Sequence, residues 1–276
     1  MATLTQNVYR AINDFNSIEN AIVGKGVPVP AGTPTSEYAE KVEDVFEAGK
    51  KSEYDAFWDA FQNYGNRNKY EFAFTGAGEG SSGGWTDETF KPKYDIILGE
   101  GHTIQRIFWN STVSDVPSVL EKQGIVFDTT RATWWQQCFQ TSKSNRWGVL
   151  NASNATYFSH VFSTSSCVTI EKLIVSETVP FANAFDNASR LTNLTIEGTI
   201  GQNGFNVSWS PLNKASLTSI INALSSTTTG LTATLRLAAV NTAFETTAGA
   251  ADGSTSDEWT ALIATKPNWT INLINS

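Results

Sequence analysis

The chain has 276 residues, a formal net charge of −8 and an isoelectric point near 4.8. This acidic balance argues against a nucleic-acid partner, because phosphate binding needs clustered lysine and arginine. No apolar run approaches the roughly 20 residues that a transmembrane helix needs, so we expect no membrane insertion. The two cysteines, Cys138 and Cys167, fall inside a repeated pattern, which favours buried free thiols over a disulfide.

The first 65 residues carry apolar side chains at helical spacing, so we interpret 1–65 as a helical attachment or oligomerisation module. One apolar stripe follows residues 4–22, and a second follows residues 38–64. A short module without a core of its own must cover such stripes on sister chains or on another protein. The residues assigned to this contact are Val8, Ile12, Phe15, Ile22, Tyr38, Val42, Phe57 and Phe61.

Residues 66–102 are expected to connect this module to the next region and to cap that region. The glycine-rich segment TGAGEGSSGG, residues 75–84, interrupts all periodicity. Its glycines resemble the beginning of a phosphate-binding loop, but no Lys-Ser/Thr pair follows them. We therefore favour a flexible loop over a nucleotide site.

Residues 103–199 contain a short pattern that returns four times. Its anchor is a phenylalanine late in a helix-like turn, and the four anchors are Phe108, Phe139, Phe162 and Phe185. The last three are separated by 23 residues each, and strand-like phrases of the form apolar-x-x-apolar-x-apolar follow them. A fixed period in the low twenties, with one strand and one turn per unit, predicts a leucine-rich-repeat solenoid whose stacked units share one core.

Residues 200–276 alternate between helical and strand-like segments. Residues 215–224 place four apolar side chains on one helical face, and residues 231–237 alternate as in a strand. This order predicts terminal α/β repeats that cap the solenoid. The predicted fold class is therefore α/β, a leucine-rich-repeat solenoid preceded by an α-helical N-terminal module.

The phrase FANAFDNASRLTNLTI, from Phe181 to Ile196, resembles the BspA-like leucine-rich repeats. Other segments resemble a leucine-rich-repeat family encoded in phages and prophages of Firmicutes. They are AIVGKGVPVPAGTPTSEYAEKVEDV, YDAFWDAFQNYGNRNKYEFAF with WTDETFKPKYDI, and FNVSWSPLNKASLTSIINALS. The resemblance implies a surface or virion-associated protein that binds other molecules through its solenoid, and it provides no catalytic residues to carry over. The segment 241–259 departs from that family, which has a shorter polar link there.

No catalytic, metal-binding or cofactor-binding constellation emerges from the sequence. His102 and His160 are interpreted as solvent-facing or satisfied histidines rather than as metal ligands or bases. Glu171 and Glu197 flank predicted strands, but no spacing defines the separation that a glycosidase carboxylate pair requires. We therefore expect no enzymatic activity, no cofactor and no metal site.

Aromatic residues crowd the repeats and are the candidate binding residues. Trp134 and Trp135 cannot both point inward from one turn, so one of them is expected to be exposed. An exposed ring can stack on a sugar or anchor a protein partner, whereas the alternative is that these aromatics fill the interior. The candidates are Trp109, Trp134, Trp135 and Tyr157.

Three functions remain open. The first is a non-enzymatic phage virion protein, such as a tail fibre, that attaches by its N-terminal helices and binds a host-surface glycan or protein. The second is a bacterial cell-surface adhesin, against which the missing signal peptide and wall anchor count. The third is an enzyme that degrades surface polysaccharide, against which the lack of acidic or histidine clusters counts.

The virion assignment depends on the family resemblance. Other virion proteins are the expected partners of the N-terminal helices, together with sister copies of the chain. A homotrimer is preferred by analogy with phage fibres.

Overall fold

A computed structural model of the chain describes residues 85–88, 90–92, 95–97, 104–247 and 255–274. The expected N-terminal module, residues 1–65, lies outside the described residues, and so does His102. The predicted contact residues that also lie outside them are Val8, Ile12, Phe15, Ile22, Tyr38, Val42, Phe57 and Phe61.

Eight strands and four helices form in the described part of the chain. The strands are β1 (Ile96–Ile97), β2 (Phe127–Asp128), β3 (Arg146–Asn151), β4 (Thr169–Val175), β5 (Asn193–Gly198), β6 (Phe205–Val207), β7 (Leu231–Arg236) and β8 (Trp269–Ile274). The helices are α1 (Val116–Gln123), α2 (Lys214–Ala223), α3 (Leu237–Phe244) and α4 (Asp257–Ala264). All strand pairs are parallel, and they form three sheets, β1-β2, β3-β4-β5 and β6-β7-β8.

The predicted leucine-rich-repeat solenoid is wrong. The described residues form a mixed α/β structure in which four helices accompany small parallel sheets of at most three strands. A solenoid requires one sheet that runs through all stacked units, whereas the ladder of β3, β4 and β5 ends at β5 and a separate sheet begins at β6. The periodicity of the sequence is therefore a local feature and does not extend along the chain.

Helix α2 explains why the sheet β3-β4-β5, which we call the first sheet, ends at β5. Its Ser216 Oγ accepts a hydrogen bond from the Leu194 N–H at 2.8 Å, and its Ser219 Oγ accepts one from the Ile196 N–H at 2.9 Å. The Ser219 hydroxyl also donates to the Ile196 carbonyl at 3.3 Å. Since a hydroxyl is both donor and acceptor, the two serines satisfy the strand edge where another strand would otherwise pair.

Strands β3, β4 and β5 each follow one anchor phenylalanine, where the repeated sequence pattern predicts a strand. Trp147 pairs with Ile170, and Ile170 pairs with Leu194, so equivalent positions lie side by side. All three side chains are buried. Parallel pairing in this register places one apolar row from each strand in the same core.

The phenylalanine anchors form a second buried row beside these strands. Phe139, Phe162 and Phe185 are each 0% exposed. The ring centroids of Phe139 and Phe162 are 5.1 Å apart, and those of Phe162 and Phe185 are 5.4 Å apart with nearly parallel planes. Contacts at these distances add to the stabilisation that comes from burying the rings.

Both cysteines are free and buried, which confirms the prediction of buried thiols. Cys138 Sγ donates to the Ile104 carbonyl at 3.0 Å, and Cys167 Sγ donates to the Thr169 carbonyl at 3.3 Å. Burial raises the pKa of the Cys138 thiol well above its ordinary value and raises the pKa of Cys167 to about 12. Neither thiol is therefore a nucleophile at neutral pH.

Arg146, at the beginning of β3, connects α1 to the first sheet. Its guanidinium lies 3.1 Å from Asp115, 2.7 Å from Glu121 and 3.0 Å from Glu171 on β4. Asp115 also caps α1 by accepting a hydrogen bond from the Ser118 N–H. The hydrogen bonds from Arg146 hold the pKa of the Glu121 carboxyl below its ordinary value.

A cluster of hydroxyl groups connects the end of β4 to the loop after α2. Glu177 Oε1 accepts hydrogen bonds from Ser225 Oγ at 2.6 Å, from Thr227 Oγ1 at 3.0 Å and from Thr228 Oγ1 at 3.1 Å. These hydrogen bonds lower the pKa of the Glu177 carboxyl, with Ser225 contributing most. The Ser225 carbonyl in turn accepts from the Trp269 indole N–H at 2.9 Å, so one loop contacts both sheets.

We expect Phe162→Ala to lower the free energy of unfolding by about 3–5 kcal/mol, because it leaves a cavity in the aromatic row. Urea denaturation followed by tryptophan fluorescence measures the change. Thr195→Ala, at an exposed position of β5, is the control and should leave the midpoint unchanged. Equal midpoints for wild type and Phe162→Ala would contradict the packing described for this row.

We expect Ser216→Ala and Ser219→Ala each to destabilise the fold by about 1–3 kcal/mol, because each leaves a β5 N–H without its hydrogen-bond partner. Thr218→Ala, on the same helix, controls for the change in helix propensity. Chemical denaturation of the three variants provides the comparison. If the serine variants were as stable as Thr218→Ala, the hydroxyls would not be required at the strand edge.

Candidate functional site

The candidate site is built on turns that precede the strands of the first sheet. Consecutive turns are joined directly by backbone hydrogen bonds, so equivalent positions of neighbouring turns lie side by side. The Arg106 N–H donates to the Gln136 carbonyl at 2.9 Å, the Gln137 N–H to the Ser159 carbonyl at 2.9 Å and the His160 N–H to the Ala182 carbonyl at 3.2 Å. These hydrogen bonds between turns place equivalent side chains in rows.

One of these rows has a left-handed backbone. Arg106, Gln137, His160 and Asn183 have φ values of 56°, 56°, 53° and 54°. Non-glycine residues rarely adopt this region, and asparagine does so more readily than most. Because the same φ recurs in every turn, it is a property of the turn and does not by itself mark a binding site.

Trp134 is the exposed aromatic residue of the turns. Its side chain is 41% exposed, and its ring stacks on Tyr157 with centroids 4.5 Å apart and planes inclined by 17°. The two residues also form a parallel β-bridge, which sets the separation of their backbones. The indole Nε1 lies 3.4 Å from Gln136 Oε1. The stacked pair therefore presents a preformed aromatic surface to solvent.

Arg106 connects a second aromatic residue to the neighbouring turn. Its Nε donates to Gln137 Oε1 at 2.7 Å, and its guanidinium carbon lies 5.3 Å from the centroid of the Trp109 ring. The second distance is within the range of a cation–π contact. We call this surface the aromatic–amide patch, and its residues are Arg106, Trp109, Trp134, Gln136, Gln137 and Tyr157.

The assignment of Trp135 as a binding residue is wrong, because its side chain is 0% exposed. Its ring packs on Phe158, with centroids 5.5 Å apart, and its indole N–H donates to the Ala132 carbonyl at 3.1 Å. Neighbouring residues of an extended segment point to opposite sides, so Trp135 enters the core while Trp134 faces solvent. The other three candidates, Trp109, Trp134 and Tyr157, are at least partly exposed.

The sequence interpretation missed the polar half of the patch. Gln136 and Gln137 occupy the third and second positions before the anchor Phe139, and Arg106 is two positions before the anchor Phe108. Aligning the anchors would have grouped Arg106 with Gln137 in one row. The periodicity of the sequence is carried by apolar and aromatic positions, so it gives no signal for the polar side chains beside them.

The patch combines groups suited to a polar ligand with an apolar face. Aromatic rings stack on the apolar face of a sugar ring, while amide and guanidinium groups exchange hydrogen bonds with hydroxyls. His160, in the next turn, is bonded through Nδ1 to Ser159 Oγ at 2.7 Å. Ser159 is buried, so this pair offers no accessible nucleophile.

The residues that the structure describes contain no group of three or more His, Cys, Asp or Glu side chains arranged to hold a metal ion. The same described ranges include no helix that is both long and apolar enough to cross a bilayer.

Comparison with known proteins finds no protein family, no curated protein and no solved structure that matches the chain.

Proposed function

We propose that the protein is a non-enzymatic phage virion protein, a tail fibre or similar appendage, that binds a host-surface glycan through the aromatic–amide patch. The observation that carries the binding part is the exposed ring of Trp134, which is 41% exposed and stacked on Tyr157. The sequence phrases that resemble a phage-encoded repeat family support the virion location. Attachment to other virion proteins and to sister copies is assigned to residues 1–65.

The contacts of Trp134 favour a glycan as the ligand. Its ring is already held by Tyr157 and by the neighbouring Gln136, so binding would require little further ordering of side chains. Amide groups beside it, together with the Arg106 guanidinium, provide donors and acceptors for sugar hydroxyls. A protein partner would more commonly require a wider apolar surface around the tryptophan.

We expect Trp134→Ala to leave folding intact and to weaken binding to host cell-wall polysaccharide by roughly 2 kcal/mol, or about thirtyfold. The loss follows from removal of the stacking surface. Biolayer interferometry on immobilised polysaccharide measures the affinity, and circular dichroism checks the fold. Ile274→Ala, which removes an exposed apolar side chain from β8, is the matched control and should bind as wild type.

Equal affinity of Trp134→Ala and wild type would remove the patch from the binding site. Trp135→Ala is unsuitable for this test, because it leaves a cavity in the core and affects binding through folding.

The assembly part of the proposal predicts that the full-length chain is a trimer in solution. The apolar stripes of residues 4–22 and 38–64 would each expose several large side chains, at about 25 cal/mol for each Å² left in water. Identical stripes cover one another around a symmetry axis. Multi-angle light scattering should give three times the chain mass, and a chain that begins at Asn66 should be a monomer.

A full-length monomer would contradict assembly through the N-terminal stripes. A trimer that persists without residues 1–65 would move the contact to the remaining part of the chain.

A further inference from the structure

A groove of about 470 Å³ lies between the N-terminal end of α2 and helix α3. Small or apolar side chains, among them Pro211, Ala238 and Ala239, form much of its lining. Two cationic residues, Lys214 and Arg236, also line it, and no carboxylate side chain among the described residues does. In a chain with a net charge of −8, a groove lined by cations alone is suited to an anionic ligand.

The two cations differ in what already neutralises them. Lys214 Nζ lies 2.5 Å from Glu258 Oε2 and is therefore paired. The Arg236 guanidinium forms no ion pair with any described residue, and its one hydrogen bond within that part runs from Nη1 to the Trp209 carbonyl at 3.4 Å. A guanidinium has five N–H donors, so Arg236 keeps donors for a bidentate contact with a carboxylate.

Hydroxyl groups lie beside this charge. Thr242, on α3, lines the groove and is exposed. Thr192 also lines it. Its hydroxyl donates to the Val168 carbonyl at 3.3 Å and accepts from Asn193 Nδ2 at 2.9 Å, which leaves one lone pair of the oxygen for a further hydrogen bond. The groove thus combines one available cation, two hydroxyls and an apolar surface. These are the groups that a carboxylate-bearing sugar would require.

We propose that this groove binds a hexuronic acid unit of an acidic glycan. The carboxylate contacts the Arg236 guanidinium, the sugar hydroxyls contact Thr192 and Thr242, and the apolar face of the ring packs on Pro211 and Ala239. A free phosphate or acetate ion would use the cation but not the apolar surface. The proposal is independent of the aromatic–amide patch, because it involves none of the patch residues.

The test titrates sodium glucuronate into the ¹⁵N-labelled full-length chain and follows the Arg236 Nε–H signal and the amide signal of Thr242. We expect both signals to shift, and we expect glucose to bind at least about tenfold more weakly because it lacks the carboxylate. Arg236→Gln should weaken glucuronate binding by at least about tenfold. Arg131→Gln, which neutralises an exposed arginine outside the groove, is the matched control and should change nothing.

A second variant keeps the test decisive if Arg236→Gln disturbs the fold. Ala238 is exposed on α3 and lines the groove, so Ala238→Trp should fill the space and abolish the glucuronate shifts without unfolding the chain. Absence of shifts in the wild type, equal affinity for glucuronate and glucose or acetate, or unchanged affinity in both variants would overturn the proposal. Trp134→Ala should leave glucuronate binding unchanged, so failure of the patch and failure of the groove are distinguishable.

Discussion

The backbone N–H groups at the outer edge of β5 need hydrogen-bond partners, and the arrangement of the described chain depends on how they find them. Ser216 and Ser219 provide these partners from helix α2. Since helix α2 occupies the outer edge of β5, the chain does not add a fourth strand there. It begins the separate sheet β6-β7-β8 instead. The same helix places its N-terminal end beside α3, where the two line the groove that contains Arg236.

The loop after α2 connects two sheets that share no strand pairing. Glu177 accepts three hydroxyl hydrogen bonds from one side of this loop, and the Trp269 indole N–H donates to the Ser225 carbonyl from the other. Hydrogen bonds to an ionised carboxylate are stronger than those between neutral groups. The lowered pKa of Glu177 means that this contribution is present above its unfolded-state pKa and is lost as the pH falls through the folded-state value.

The two proposed ligand surfaces differ in the interactions that would bind the ligand. In the aromatic–amide patch, stacking on Trp134 supplies contact area, and neutral amides supply orientation. In the groove, the charge of Arg236 selects for a carboxylate, and the apolar lining selects for a ring beside it. The backbone of the patch is held by hydrogen bonds between neighbouring turns, and that of the groove by helices α2 and α3, so little ordering remains for the ligand to induce.

Periodicity in the sequence predicts the local structure of the first sheet well. The 23-residue spacing of Phe139, Phe162 and Phe185 locates a buried row and the strands that follow it, because each unit repeats the same turn and strand. The prediction that this pattern continues as a solenoid is wrong, because serines of α2 bind the edge of β5 and end the sheet there. The sequence does not indicate which backbone group a helical serine binds. Whether the Ser216 hydroxyl faces water or the edge of β5 depends on a neighbour about 20 residues away.

In the candidate site, too, the sequence predicts part of the arrangement and the tertiary structure decides the rest. Two adjacent tryptophans of one turn cannot both point inward, which predicts one exposed ring at Trp134 or Trp135. The choice between them follows from the surrounding fold, where Phe158 packs on Trp135 and Tyr157 stacks on Trp134. The divergence of two adjacent side chains is a property of the local backbone and can be predicted from the sequence, whereas the identity of the buried ring depends on where the rest of the core lies.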